Sequence, residues 1–340
     1  MERPVNGLSR RRVVTGAAVT AAATLCGGTP ARAGIRLKLG NDLPNSHPVN
    51  TRLREAIAAI GTETQGAVAI ELFPNNQLGG DPGMLSQIRS GALELATFPG
   101  TVMSTLVPVM AVPGVGFAYS DYDKVWASMD GALGNFLRGQ VATAGLHPFD
   151  AVWDNGFRQI TASTKPIRSP SDLVNFKIRV PVVPLWVTMF KALKAAPVSI
   201  PLNEAYSSLQ TKIADGQENP LSLIDIAKFY EVQKYCSLTN HAWDGFWLVA
   251  NADLWQRLPA DIQAVLAKHL NGAALKERAD IAELNVTLRK DLEAKGLAFT
   301  PVDTGAFRQA LSASGFYAQT RAKFGEAPWN LLESFTGSLG

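Results

Sequence analysis

Cysteine is nearly absent from this chain: 340 residues hold only Cys26 and Cys236. If the first 33 residues are cut off, Cys236 alone is left, and one thiol cannot close an internal disulfide, so a disulfide-stapled scaffold is excluded. An excess of charge of one sign is also missing. The chain carries 32 Lys+Arg and 29 Asp+Glu, net +3. Five of those arginines and a single acid lie before Gly34, so 27 basic and 28 acidic residues remain after them, net −1. No basic face for nucleic acid or an anionic surface follows from such a balance. Residues 13–26 form an apolar run of only 14 residues, short of the roughly 20 that a bilayer span needs. Chemistry-bearing motifs are missing too. There is no G-x-G-x-x-G after the first strand, no G-K-[ST] and no G-x-S-x-G elbow. The histidines are His47, His147, His241 and His269, none paired at i,i+4 and none in a zinc spacing. Neither a cofactor nor a metal is implied, and nothing in the sequence requires an enzyme.

What is present begins with a leader. Arg10, Arg11 and Arg12 precede the apolar run, and Ala31 and Ala33 supply an A-x-A pattern. This is the layout of a secretory signal peptide over 1–33, of twin-arginine type, cleaved near Ala33 into the periplasm. From Ile35 onward, strand and helix patterns alternate. "IRLKLGN" and "AVAIELFP" read as strands, and "NTRLREAIAAIGTETQG" as a helix between them. "MLSQIRSGALELATFPG" reads as helix, glycine break and strand. This order predicts an α/β fold with a largely parallel sheet covered by helices. "KIRVP", "VSIPL" and "WLVANADLW" are further strand candidates. After Pro259 the apolar spacing turns helical as far as Leu292, with Gly272 a candidate break. A helix that long can lie across two lobes.

Three polar sets stand out among apolar neighbours: "WDNGFRQIT", "FKIRVP" and "LQTKIADGQENPL". In "FKIRVP" the alternation puts Phe176, Ile178 and Val180 on one face of a strand and Lys177 and Arg179 on the other. A guanidinium is a planar fork matched to a carboxylate, and burying one unpaired is costly. Either an internal acid or a ligand anion must answer Arg179, and likewise Arg158.

Taken with "FPNNQLGGD" and "AKFYEVQKYCSLTNH", these stretches resemble the extracytoplasmic solute-binding proteins of tripartite ATP-independent periplasmic (TRAP) transporters, dicarboxylate-binding type, over roughly residues 35–320. The resemblance implies a two-lobed fold, each lobe a mixed sheet flanked by helices, with a long helix spanning both. The lobes are expected at 34–155 plus about 246–284, and at 156–245 plus about 285–340, with the ligand cleft between them. By the same resemblance Arg179 clamps a ligand carboxylate, Arg158 lies beside it and Asn219 hydrogen-bonds the same group. Asp81 and Asp42 would face the rest of the ligand. Leu202 stands where many members carry a phenylalanine, so Trp153 and Trp243 are expected as ring surface, with Trp186 and Phe246 as further sources. The implied ligand is a small organic acid, by default a C4-dicarboxylate, with sugar, keto and aromatic acids as alternatives. The implied partners are the small and large membrane subunits of a permease, the protein acting as a monomer. Service to a sensor, or a secreted enzyme on the same scaffold, are the other readings.

Overall fold

The computed structural model describes residues 34–340. The expected signal peptide lies outside the described residues. Among the described residues, eleven strands build the sheet: β1 (Ile35–Gly40), β2 (Val68–Phe73), β3 (Leu95–Pro99), β4 (Leu146–Pro148), β5 (Trp153–Ala162), β6 (Lys177–Val180), β7 (Ala196–Ser199), β8 (Gly216–Pro220), β9 (Tyr235–Leu238), β10 (Trp243–Asn251) and β11 (Ala298–Pro301). The main path runs β2-β1-β3-β10-β5-β8-β6-β7. Its two ends are parallel, β1 with β2 and β3, and β6 with β7 and β8. The middle is antiparallel: β10 runs against β3 and β5, and β5 against β8. The largely parallel sheet expected from the βαβα order therefore holds only at the ends, because two long strands return through the centre.

Those two strands join the halves. The first part of β5 pairs with β10, and its second part, Arg158–Ala162, pairs with β8. Strand β10 passes from β5 to β3 in the opposite sense. Where they meet, the register slips: Asp244 pairs with Gly156 but Gly245 with Asp154, leaving Asn155 as the extra residue of a bulge. Gly156 sits there at φ +112°, a region in which L side chains are strained. In β8, Gly216 lets the strand close on its neighbours, since a Cβ would meet the Thr161 carbonyl oxygen at 2.2 Å and the Phe176 ring at 2.6 Å.

Helices cover the sheet, started by local signals. In Pro48–Glu63, Pro48 occupies the first turn and the His47 ring accepts from the Val49 amide at 3.3 Å. The helix Asp81–Ser90 opens with Asp81 and Pro82 and stops at Gly91 in the left-handed region. The long helix Ala260–Ala294 runs 35 residues without interruption, through Gly272, which has open space where its Cβ would be. Its first half buries Ile262, Leu266 and Leu270 in one core with Leu37, Leu53 and Val68. Its end buries Leu292 in another, with Leu209, Ile224 and Phe229. One rigid element thus contributes to cores from both halves of the sheet.

Candidate functional site

A cavity lies where the two halves and the crossing strands converge. Asp42, just after β1, Asp81, and Thr101, just after β3, reach it from one half. Arg179 and Asn219 reach it from β6 and β8, with Leu202 from the start of the helix Leu202–Gln210 between β7 and β8. The crossing strands add Asn155 and Arg158 from β5, and Asp244 and Phe246 from β10. The carboxyl ends of parallel strands are where open α/β sheets leave room for ligands.

Arg179 is 1% exposed, in a strand paired on both sides. Its Nε donates to the Ile200 carbonyl at 2.8 Å. Nη1 and Nη2 are buried and have no hydrogen-bond partner. Burial drops the guanidinium pKa to about 10, against the opposing pull of Glu218, Asp42 and Asp81. Among the described residues no acid grips the fork, and both terminal nitrogens belong to a residue that lines the cavity.

Arg158 is arranged differently. Its Nε bonds Glu218 Oε2, and its Nη2 donates to Glu218 Oε1 at 3.0 Å and to Asn219 Oδ1 at 2.8 Å. The guanidinium also lies 4.5 Å from the centre of the Trp186 ring. Glu218 is fully buried and further bonded by His241 Nε2 at 3.2 Å, while Thr239 Oγ1 meets His241 Nδ1 at 2.8 Å. Burial alone would raise the Glu218 pKa, but Arg158 and His241 hold it below the ordinary value. Asn219 is oriented on both sides, its Nδ2 donating to Gln217 Oε1 at 2.5 Å. Arg158 therefore reaches the cavity as half of an internal ion pair.

The opposite wall is acidic. Asp42 and Asp81 are buried on this wall, close enough for the charge of Asp42 to act on Asp81. Burial pushes Asp42 up to about 6 and, with the Asp42 charge, holds Asp81 well above the ordinary range. Asp244 accepts from Thr101 Oγ1 at 2.6 Å and from the Gly245 amide at 2.9 Å; burial raises its carboxyl to about 6. Asn155 contributes an Oδ1 with no partner.

Five of the seven expected residues thus come together around one cavity: Arg179, Arg158, Asn219, Asp81 and Asp42. Trp153 and Trp243 do not line it. Trp153 is fully buried in the core cluster that holds Leu37 and Leu223. Trp243 points to the face of β10 away from Asp244 and Phe246, donates to Asp154 Oδ1 at 3.0 Å, and packs edge-on to Tyr119 and Trp126. The rings at the cavity are Trp186, pinned through Nε1 to the Gly114 carbonyl at 2.9 Å, and Phe246. Leu202 lines it as well. Asp244 and Asn155 were missed by sequence reasoning. The available signal was a polar residue inside an otherwise apolar strand, "WDGFWLVAN" and "VWDNGF", the same signal that picked out Arg179.

The family described as "Bacterial extracellular solute-binding protein, family 7" matches residues 39–318. An uncharacterized protein of Sinorhizobium fredii is 34% identical over 96% of this chain, which spans 58% of that relative's length. The 2,3-diketo-L-gulonate-binding periplasmic protein of Escherichia coli is 32% identical, over 73% of this chain and 76% of the relative. Among solved structures, a TRAP periplasmic solute-binding protein of Sulfurospirillum deleyianum with bound succinate superposes with a TM-score of 0.84 at 27% identity, over 90% of this chain and 99% of that one. Another from Roseobacter denitrificans, with bound L-galactonate, gives 0.82 at 30% identity, over 88% and 98%.

Proposed function

The chain belongs to the family-7 bacterial extracellular solute-binding proteins, the TRAP type, and on that premise we propose that it captures a small carboxylate-bearing organic acid in the periplasm through a clamp centred on Arg179. The observation that carries this reading is the pair of buried, unpartnered Nη atoms of Arg179, a residue lining the cavity. A carboxylate there gains two parallel charge-assisted hydrogen bonds and relieves a desolvated cation. Arg158 and Asn219, fixed by Glu218 and Gln217, shape the same end of the cavity. The lobes divide at 34–155 plus about 246–284 and 156–245 plus about 285–340, which puts the boundary inside β5 and β10, where the bulge lies. Closure of the lobes over the acid and delivery to small and large permease subunits complete the cycle, the protein acting as a monomer and doing no chemistry of its own.

The default ligand by resemblance is a C4-dicarboxylate. A sugar acid is the second reading, and a specific observation favours it: the wall that would receive the second carboxylate of a dicarboxylate holds Asp42, Asp81 and Asp244. The neighbours with succinate and with L-galactonate frame the two choices. The test is a thermal-shift screen of residues 34–340 against organic acids. Binding to the folded state raises Tm by mass action. A shift with a carboxylate that disappears in Arg179→Ala is the expected result. Shifts with neutral sugars or amines only, or shifts that survive Arg179→Ala, would sink the clamp.

A further inference from the structure

Asp42 and Asp81 lie on separate segments, the loop after β1 and the first turn of the helix Asp81–Ser90, yet both line the same cavity wall. They are 5% and 8% exposed. Oδ1 of each has no hydrogen-bond partner among the described residues. Two desolvated carboxylates close enough to feel each other's charge cannot both be ionised without a large repulsion, and a hydrogen bond between them needs a proton on one. We propose that Asp42 and Asp81 hold one proton between them and act as a joint donor–acceptor pair, which reads the hydroxyls of a bound acid and turns away a second carboxylate. The proposal rests on the Arg179 clamp for the orientation of the ligand.

The charges facing the pair support this division of labour. Arg179 on β6 is the one cation of the cavity wall without an acid of its own, since Arg158 on β5 is paired with Glu218 of β8. Asp244 faces the pair from β10. His47, at the start of Pro48–Glu63, is buried and stays neutral, its pKa driven down to about 3 by burial. Glu204, on the helix that starts at Leu202, is exposed. Once a ligand carboxylate has taken Arg179, a second one would meet three buried acids and no free cation. A hydroxyl in the same place finds both an acceptor and an acid O–H. The upward displacement of both carboxyls by burial agrees with a proton retained at neutral pH, and the two steps of its loss belong to the pair rather than to either residue.

Two measurements test the pair. In the first, the aspartate side-chain carboxyl carbons of the ligand-free protein are followed by NMR from pH 3 to 10, with Asp42 and Asp81 assigned through the backbone. The expected result is two widely separated steps, the upper above neutrality, and for Asp81 in Asp42→Asn a single step lower than that upper one but still above the ordinary range, because its burial remains. Titration of both wild-type carboxyls together below pH 5 would overturn the proposal whether or not any ligand is known. In the second, calorimetry compares L-galactonate with succinate at pH 7. Wild type should prefer L-galactonate by about tenfold or more. The double variant Asp42→Asn/Asp81→Asn, in which the pair carries no charge, should gain affinity for succinate and narrow that ratio by a similar factor. An unchanged ratio, equal wild-type affinities, or binding that requires added Ca²⁺ at the carboxyls would each overturn it. Failure of both probes to bind wild type would count against the clamp and leave the carboxyl titration to decide on the pair.

Discussion

Arg179 and Arg158 are both buried beside one cavity, and their opposite hydrogen-bonding states give opposite expectations for replacement. Arg179 has no acid gripping its fork, so Arg179→Met removes an uncompensated buried charge. The ligand-free variant should be as stable as wild type or more so, while affinity for the acid falls by about 100-fold or more. Arg158→Met leaves Glu218 buried with only His241, and should cost about 3–5 kcal/mol of stability. Chemical denaturation of both variants, with titration of whichever acid the screen selects, checks the pair. A large loss of stability in Arg179→Met would make that arginine structural. At this scale the sequence was readable where a charge sat in an apolar strand, because the cost of burying it demands a partner. It was not readable for the partner itself. Glu218 meets Arg158 only through the pairing of β8 with β5, some 60 residues apart, and nothing local announces that pairing.

The crossing strands and the long helix show where period-based reading of elements succeeds and where it stops. Alternation alone puts Trp153 and Asn155 on one face of β5. The bulge at Asn155 breaks the alternation, so Trp153 goes to the core and Asn155 to the cavity. In β10 the alternation does hold, and Asp244 and Phe246 share the cavity face that Trp243 lacks. Choosing Trp153 and Trp243 as ligand rings required the register, which the sequence does not carry. The βα units from Ile35 to Pro99 were legible from their periods and glycine stops, and the antiparallel centre was not, since it depends on which distant strands meet. Gly272 is the instructive miss in the long helix. Glycine weakens a helix by about 1 kcal/mol against alanine, and a 35-residue helix buried at both ends tolerates that. A methyl at Gly272 meets nothing within 4 Å. Gly272→Ala should therefore stabilise the protein by about 0.5–1 kcal/mol in urea unfolding without altering ligand affinity. Destabilisation would mean that the helix needs a soft point there.

For the molecule as a whole, the buried acids set how stability responds to pH. The Glu277 side chain, on the long helix, is fully buried and accepts from the Asp154 amide at 2.9 Å, and burial with the nearby Asp154 charge pushes its carboxyl well above the ordinary range. Burial raises Asp154 to about 7, and Asp42 and Asp244 to about 6. A carboxyl whose pKa is higher folded than unfolded binds its proton more tightly in the native state. Its stabilising contribution is complete below about pH 4, the unfolded value, and is lost as pH rises through 6 to 7. Glu218 has the opposite sign, its contribution present above its unfolded value and lost in acid, so it opposes this trend only below about pH 4. The depressed carboxyls of Asp121, Glu63 and Glu326 lie at the surface, where solvent screens their ion pairs. His47, His147 and His241, whose pKa values burial lowers, oppose the trend only up to about pH 6.5, the unfolded value. Above it the raised carboxyls act alone, and the Tm of the ligand-free protein should fall between about pH 6.5 and 8. Glu277→Gln keeps an acceptor for the Asp154 amide and removes one ionisation. It should leave stability near wild type at pH 5 and raise it by about 1–2 kcal/mol at pH 8. Scanning calorimetry of both proteins at the two pH values decides it: parallel shifts would mean that Glu277 is ionised alike in the folded and unfolded chain and its pKa is not raised, whereas convergence at pH 5 and separation at pH 8 place an acid that holds its proton between the long helix and the first residues of β5.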